Sequence, residues 1–423
     1  MYWIYSAVLG TALLLSLPYW LLQSIRHGKY RRGLRERLGT VPSGLTRAGE
    51  PTLWVHAVSV GEVLAVSQLV DAFQARHPAY RVVVSTTTDT GQNLALKKFG
   101  EGNVFYFPLD FGFAIRPYLE ALRPQLVVVA ETEFWPNFLR LTHRSGARVA
   151  IVNARISDKS WPGYRRFRWL LNSVLRNVDL FLTQTEEDRK RLIDIGAPAH
   201  RVQVSGNLKF DVPPPPSPSI VSSLRVNFEQ AGATPILVCG STVDDEEPLL
   251  LQAFQNVLAS YPKAVMILAP RHPERFAEVA KLLDDLGVQH WRRSLWSGER
   301  IVGGVLLIDT IGELASLYAL ADIAFVGGSL VPRGGHNIIE PAQHGVPIVV
   351  GNHTENFRDI VGLFQSRNAV RVVGPAEFPL TLMELISQPE ERVALGRRAA
   401  ETLRSQTGAT AHTLDALENL LNV

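Results

Sequence analysis

One cysteine, Cys239, stands in a chain of 423 residues. It excludes intrachain disulfides and a cysteine-based zinc site. Within the apolar run ILVCG it reads as a buried structural thiol, and the body reads as cytosolic and reduced. The eleven histidines are scattered without HxH or HxxxH spacing, so no metal site is expected. No GxSxG elbow, Walker A loop or GxGxxG fingerprint is present. A strong charge of either sign is also missing. The formal net charge is +3, and no long basic stripe interleaved with aromatics appears outside one short cluster. Nucleic acid is therefore not an expected partner.

The most informative absence lies at the start. The first 25 residues carry no charged side chain. Residues 3–22, WIYSAVLGTALLLSLPYWLL, are about as long as a bilayer's hydrocarbon is thick. Arg26, Lys29, Arg31, Arg32, Arg35 and Arg37 follow, against Glu36 alone. Positive flanks stay on the cytoplasmic side, which predicts an uncleaved anchor over 1–25, N-terminus out and body in. A signal peptide wants its charges first and a small-residue cleavage site after the apolar run, and neither is found. The basic segment, 26–39, suits anionic headgroups.

Beyond residue 50, short β-branched runs alternate with amphipathic stretches. Runs at 52–58, 81–87, 126–130, 148–154, 180–183 and 202–206 read as strands. Near-continuous apolar strands separated by helices imply parallel sheets covered on both faces. DVPPPPSPS then interrupts the pattern, and its four consecutive prolines make 213–219 a stiff linker. The pattern restarts at 235–241, 264–270, 304–309, 323–328 and 346–351. The expected architecture is α/β: two doubly wound Rossmann-like domains, 40–212 and 220–400, facing a cleft. A helical C-terminus, 401–423, follows. In such sheets ligands bind beyond the carboxyl ends of the strands, where the polar, glycine-rich segments fall.

Glu62 closes SVGE at a strand-to-helix turn and is a candidate general base. Its local sequence taken alone favours an acidic first-turn residue complementing the helix dipole. Glu131 and Glu133, in ETEFWPN, end an apolar strand, where charges need partners or a function. Lys209, in GNLKFD before the linker, could stabilise developing negative charge or be a solvated lysine. GGSLVPRGGHNIIEP (327–341) combines glycines, Arg333, His336 and Asn337 with a helix start, a pattern that cradles anions. Arg271 could pair with phosphate, and Glu340 with a ribose diol.

Taken together, these motifs resemble the bacterial 3-deoxy-D-manno-octulosonic acid (Kdo) transferases of lipopolysaccharide assembly. The likeness covers HAVSVGEV, TTTDTG, ETEFWPN, NARIS, GNLKFD, the GST loop, APRHPERF, DTIGEL, FVGGSLVPRGGHNIIEPA and GNHTENF. It implies a fold of the GT-B glycosyltransferase type, with acceptor bound by the N-terminal domain and CMP-Kdo by the C-terminal one. The acceptor would be a tetra-acylated lipid A precursor at the inner membrane, and no cofactor is implied. By the same resemblance Glu62 is the base, and Glu131 and Lys209 stabilise the transition state. Donor contacts fall on Pro270, Arg271, Ile311, Gly312, Glu313, Asn337, Ile338, Ile339 and Glu340. Two positions depart from many members, which carry Met at 311 and Leu at 339. A transferase of UDP-sugars and a non-catalytic sugar-nucleotide binder are the other readings open to the residues.

Overall fold

Valine-rich runs such as LVVVA and RVVVST cannot leave either face in water, and they become the central strands of two parallel sheets. The structure, a computed structural model, describes residues 1–27, 32–46, 49–211 and 219–422, without the side chains of 17–27. The linker at 213–218, Lys29, Arg31 and the side chain of Arg26 lie outside the described residues. The chain forms two units, 1–211 with 406–423, and 212–405.

In the first unit the strands are β1 (Thr52–His56), β2 (Arg81–Thr86), β3 (Val104–Tyr106), β4 (Pro124–Ala130), β5 (Arg148–Ala154), β6 (Leu180–Thr183) and β7 (Val202–Val204). They lie in the order β3-β2-β1-β4-β5-β6-β7, all parallel. The order reverses between β1 and β4, which opens the crevice that such folds use for ligands. One core, around Trp54, Phe105, Tyr118 and Phe138, covers one face of the sheet. Another, around Val63, Val66, Leu69 and Phe73, covers the other.

The second unit repeats the plan with β8 (Ile236–Thr242), β9 (Val265–Pro270), β10 (His290–Arg292), β11 (Gly304–Leu307), β12 (Ile323–Val326), β13 (Ile348–Gly351) and β14 (Arg371–Val373). Their order is β10-β11-β9-β8-β12-β13-β14, with the reversal between β8 and β12. Both units are thus doubly wound, as the GT-B type requires. The sulfur of Cys239 is buried in β8.

Three features differ from the sequence reading. The edge strands β3, β10 and β14 are three residues each, too short to impose an apolar alternation. The C-terminal stretch is not one helix. Helices Phe378–Ser387 and Pro389–Arg404 belong to the second unit, and helix Ala409–Leu421 packs on the first. Gly408, at φ 104, makes the break. Asp211 then accepts from the amides of Gly408, at 2.7 Å, and Thr410. Leu414 and Leu417 enter the core beside Val63 and Val66, while Arg76 pairs with Asp415 and Glu418.

The third difference is at the N-terminus. Helix α1 (Tyr2–His27) forms, but its first turns are fastened to the first unit. The Tyr2 hydroxyl donates to the Ser173 carbonyl at 3.0 Å, and Asn137 donates to Ser6 Oγ at 3.0 Å. The start of α1 therefore lies against the body that follows it, where the expected anchor would run away from it. Among the described residues no helix is long and apolar enough to cross a membrane. Helix α2 (Leu34–Arg37) follows. Its Arg37 is not at a headgroup position: its guanidinium donates to the Thr87 carbonyl and lies 4.7 Å over the Tyr106 ring.

Candidate active site

Helix α3 (Val60–Arg76) begins directly after β1, and its N-cap is Ser59. Glu62 is its third residue, so Ser59 and Glu62 form a capping box. The Glu62 amide faces Ser59 Oγ at 3.4 Å, and the Ser59 hydroxyl donates to Glu62 Oε1 at 2.9 Å. Oε2 accepts from the Val58 amide at 2.8 Å. The structural role read from local sequence is therefore real. It does not exhaust the residue. Glu62 is 8% exposed, and its pKa rises to about 7. Burial is the main cause, opposed by the Val58 amide and reinforced by the charge of Glu131. TTTDTG holds this turn from the neighbouring strand. Thr87 and Thr88 donate their amides to the Val58 carbonyl, and Gly91 lies so close to the Ser59 backbone that a Cβ there would be 3.3 Å from it.

The other two carboxylates arrive from β4, across the strand-order reversal. Glu131 adopts φ 57, a left-handed backbone that costs a non-glycine residue energy and clusters at functional sites. Its amide is held by the Val152 carbonyl at 2.9 Å. Lys209 Nζ donates to Glu131 Oε1 at 2.8 Å, with both side chains about one-third exposed. Glu133 is half-buried, and burial together with the charge of Glu131 raises its pKa. Three carboxyl groups and one lysine therefore share the carboxyl ends of β1, β4 and β7. One acid has its pKa raised toward neutral pH and one is ion-paired to a lysine, an arrangement that separates a proton acceptor from a charge stabiliser.

In the second unit the sequence-predicted donor residues come from the ends of three strands of the sheet. Pro270 ends β9 and Arg271 follows it, 311–313 follow β11, and 337–340 follow β12, with β8 between β9 and β12. Arg271, His336 and Glu340 come together. The Glu340 carboxyl is raised by burial and opposed by Arg271 and Asn337. Burial, then Arg271 and His272, lower His336 to about 4, so its ring is neutral at pH 7. Its Nε2 is buried without a partner. The side chains of Ile338 and Ile339 are instead in the core, at 0% and 1% exposure, so only their backbone can face a ligand. Asn337 Oδ1 already accepts from the Ile339 amide at 3.1 Å. Ile311 is fully on the surface and Gly312 takes φ 91. Glu313 pairs with Arg293 at 2.8 Å.

The glycine run does not form the expected anion cradle. The amides of Gly328, Ser329 and Leu330 all donate to the carboxylate of Glu246, at 2.8, 3.1 and 3.0 Å. Gly335 donates to the Gly328 carbonyl. The helix that follows, Ile339–Gln343, is five residues long, too short to lend a dipole. The charges available to an anionic ligand here are side chains, Arg271 above all.

A family model described as 3-deoxy-D-manno-octulosonic-acid transferase (kdotransferase) matches residues 32–212. The 3-deoxy-D-manno-octulosonic acid transferase of Bordetella pertussis is 36% identical over 431 residues, covering 98% of each chain. That of Haemophilus influenzae is 34% identical over 405 residues, covering 95% of this chain and 94% of its own. The chain belongs to the Kdo transferase family. The structure of HepE from Anabaena, solved with UDP, is similar in fold alone: TM-score 0.55 at 13% identity, over 88% of this chain and 100% of that one.

Two residues of this Kdo transferase that sequence reasoning did not single out position the others. Asn153, at φ 56, accepts from the Leu208 amide at 3.0 Å and so holds the turn that carries Lys209. Glu246 is fully buried and shapes the glycine turn after β12. The signal for Asn153 was a polar residue inside an apolar strand, in NARIS. For Glu246 it was a run of four acids, in which nothing marked Glu246 and Glu247 as the buried members. Among the described residues no group of three or more His, Cys, Asp or Glu could hold a metal ion.

Proposed function

We propose that this Kdo transferase moves Kdo from CMP-Kdo to a tetra-acylated lipid A precursor, lipid IVA, with inversion at the anomeric carbon. Glu62 takes the proton from the acceptor's primary hydroxyl as its oxygen attacks the anomeric carbon. The bond from that carbon to the phosphate oxygen breaks, and the electron pair leaves with CMP. Attack opposite the leaving group inverts the centre. Lys209, held by Glu131, offsets negative charge developing on the reacting groups. Arg271 meets the phosphate, with His336 as a neutral hydrogen-bonding neighbour and Glu340 as acceptor for the ribose hydroxyls. These side chains supply the charge compensation that the leaving phosphate needs, so the mechanism uses no metal.

The observation that carries this reading is the contrast within one carboxylate cluster. Glu62 is buried with a pKa of about 7, while Glu131 is ion-paired to Lys209 beside it. A general base is most effective when its pKa lies near the working pH.

The work would be done at the cytoplasmic face of the inner membrane, with α1 as the single anchor. The uncharged first 25 residues and the exposed Arg32 and Arg35 support that placement. The test is product analysis with purified enzyme, CMP-Kdo and lipid IVA, run with CMP and UDP as competitors. One or more Kdo units added, with inhibition by CMP alone, is the expected result. Inhibition by UDP, or no transfer, would overturn the assignment.

A further inference from the structure

Helix α1 does not sort its side chains as a helix docked on a protein in water does. Its inward face carries Leu9 and Leu13 but is fastened by polar groups. Tyr2 donates to Ser173, receives a hydrogen bond from Asn177 at 3.0 Å, and lies under the Arg140 guanidinium at 4.2 Å. Tyr5 hydrogen-bonds Asp110. Ser6 accepts from Asn137. The backbone at Gly10 comes up against the Phe111 ring.

Its outward face is apolar. Trp3 is 88% exposed, Ile4 69%, Val8 63%, Leu14 71% and Leu15 78%. At 100° per residue these five occupy one arc of about 140°. The patch continues onto the body. Phe113 is exposed, and its neighbour Phe111 both stacks on it at 5.5 Å and lies where a Cβ on Gly10 would be 3.9 Å from its ring. Leu34 and Leu38 are exposed in the following segment, interleaved with exposed Arg32 and Arg35. Contiguous apolar patches of this kind mark interaction surfaces.

The chain on both sides of the helix is tied to the same unit. Tyr2 holds one end. Beyond the other end, Glu36 accepts from the Tyr106 amide at 2.7 Å, and a Cβ on Gly33 would strike the Tyr106 ring. Helix α1 has 26 residues, or about 39 Å at 1.5 Å each. A single crossing of a bilayer would put its two ends on opposite sides.

We infer that α1 lies in the plane of one leaflet, with its inward face on the first unit and Trp3, Ile4, Val8, Leu14 and Leu15 in the hydrocarbon. Its occupant is a lipid surface, with Arg32 and Arg35 at the level of anionic headgroups. This deepens the membrane placement proposed above and rests on it.

The test uses the full chain with an N-terminal affinity tag, expressed in a Gram-negative host. Inverted inner-membrane vesicles, cytoplasmic face outward, are treated with protease. Cleavage of the tag without detergent is expected. A tag protected until detergent is added, on protein that floats with the vesicles, overturns the in-plane arrangement alone. Failure to float with vesicles containing phosphatidylglycerol overturns the membrane reading itself. So does a stable dimer in sedimentation that buries the patch. A double variant, Ile4→Asp with Leu15→Asp, leaves the inward face intact. Its melting temperature should match the wild type, and its partition into vesicles should fall by at least about tenfold. Unchanged partition would show that this face does not meet lipid.

Discussion

Glutamine at position 62 separates proton transfer from structure. It is accepted in a capping box as readily as glutamate, so the start of α3 should survive. The carboxyl titrates near 7 in the fold against 4.5 for a free side chain. Its folded pKa is raised, so the advantage of the protonated acid is complete below the unfolded value and is lost as pH climbs through the folded one. Above both, holding the carboxylate in this 8% exposed site costs about 3 kcal/mol, at about 1.4 kcal/mol per tenfold change in proton affinity. Glu62→Gln escapes that cost. It should match the wild type in mild acid and exceed its stability by up to about 3 kcal/mol in mild alkali. For a unit of this size that is about 6–12 °C in melting temperature. Transfer should fall in the same preparation by roughly a hundredfold to ten-thousandfold, and the wild-type kcat/KM should rise with pH to a plateau beyond about 7. Thermal melts across pH and initial transfer rates check both halves. Parallel wild-type and variant stability curves would refute the burial argument. A near wild-type rate in folded Glu62→Gln would remove it as the base and leave Glu133, the other carboxyl of this cluster whose pKa burial raises.

Arg271→Ala and Glu340→Ala should each weaken CMP binding by about tenfold to a hundredfold, the worth of one charged hydrogen bond. Calorimetric titration checks this, and unchanged affinity in both would place the nucleotide elsewhere. Lys209→Ala should lower kcat while leaving CMP affinity intact, because its partner Glu131 belongs to the first unit; a changed CMP affinity would contradict that division. Glu246→Ala should leave three buried amides without an acceptor and destabilise the second unit by at least about 3 kcal/mol. A urea melt measures it, and a variant as stable as the wild type would mean that the glycine turn does not depend on the carboxylate.

Much of this protein could be read from its chain because the governing physics is local or periodic. VVV and VMIL runs buried on both faces permit parallel strands and little else, and turns rich in glycine and acid fall at their carboxyl ends. That placed Glu62, Glu131, Lys209 and Arg271 among the candidates, and the motifs taken together pointed to the family and to the roles proposed for them. Tertiary structure decided which groups face one another. Burial, which no sequence window reports, raised the pKa of Glu62 toward neutral pH, while Glu131 beside it is ion-paired to Lys209. The glycine run looked like an anion cradle until Glu246, some eighty residues earlier, was found occupying its amides. The final helix follows the second domain along the chain, yet Asp211 captures its first amides for the first unit. The apolar N-terminal run reads as a spanning helix because hydropathy records composition along the chain and not direction around the axis. Only the docking of Tyr2, Tyr5 and Ser6 reveals which side faces the protein, and hence that the apolar side faces out.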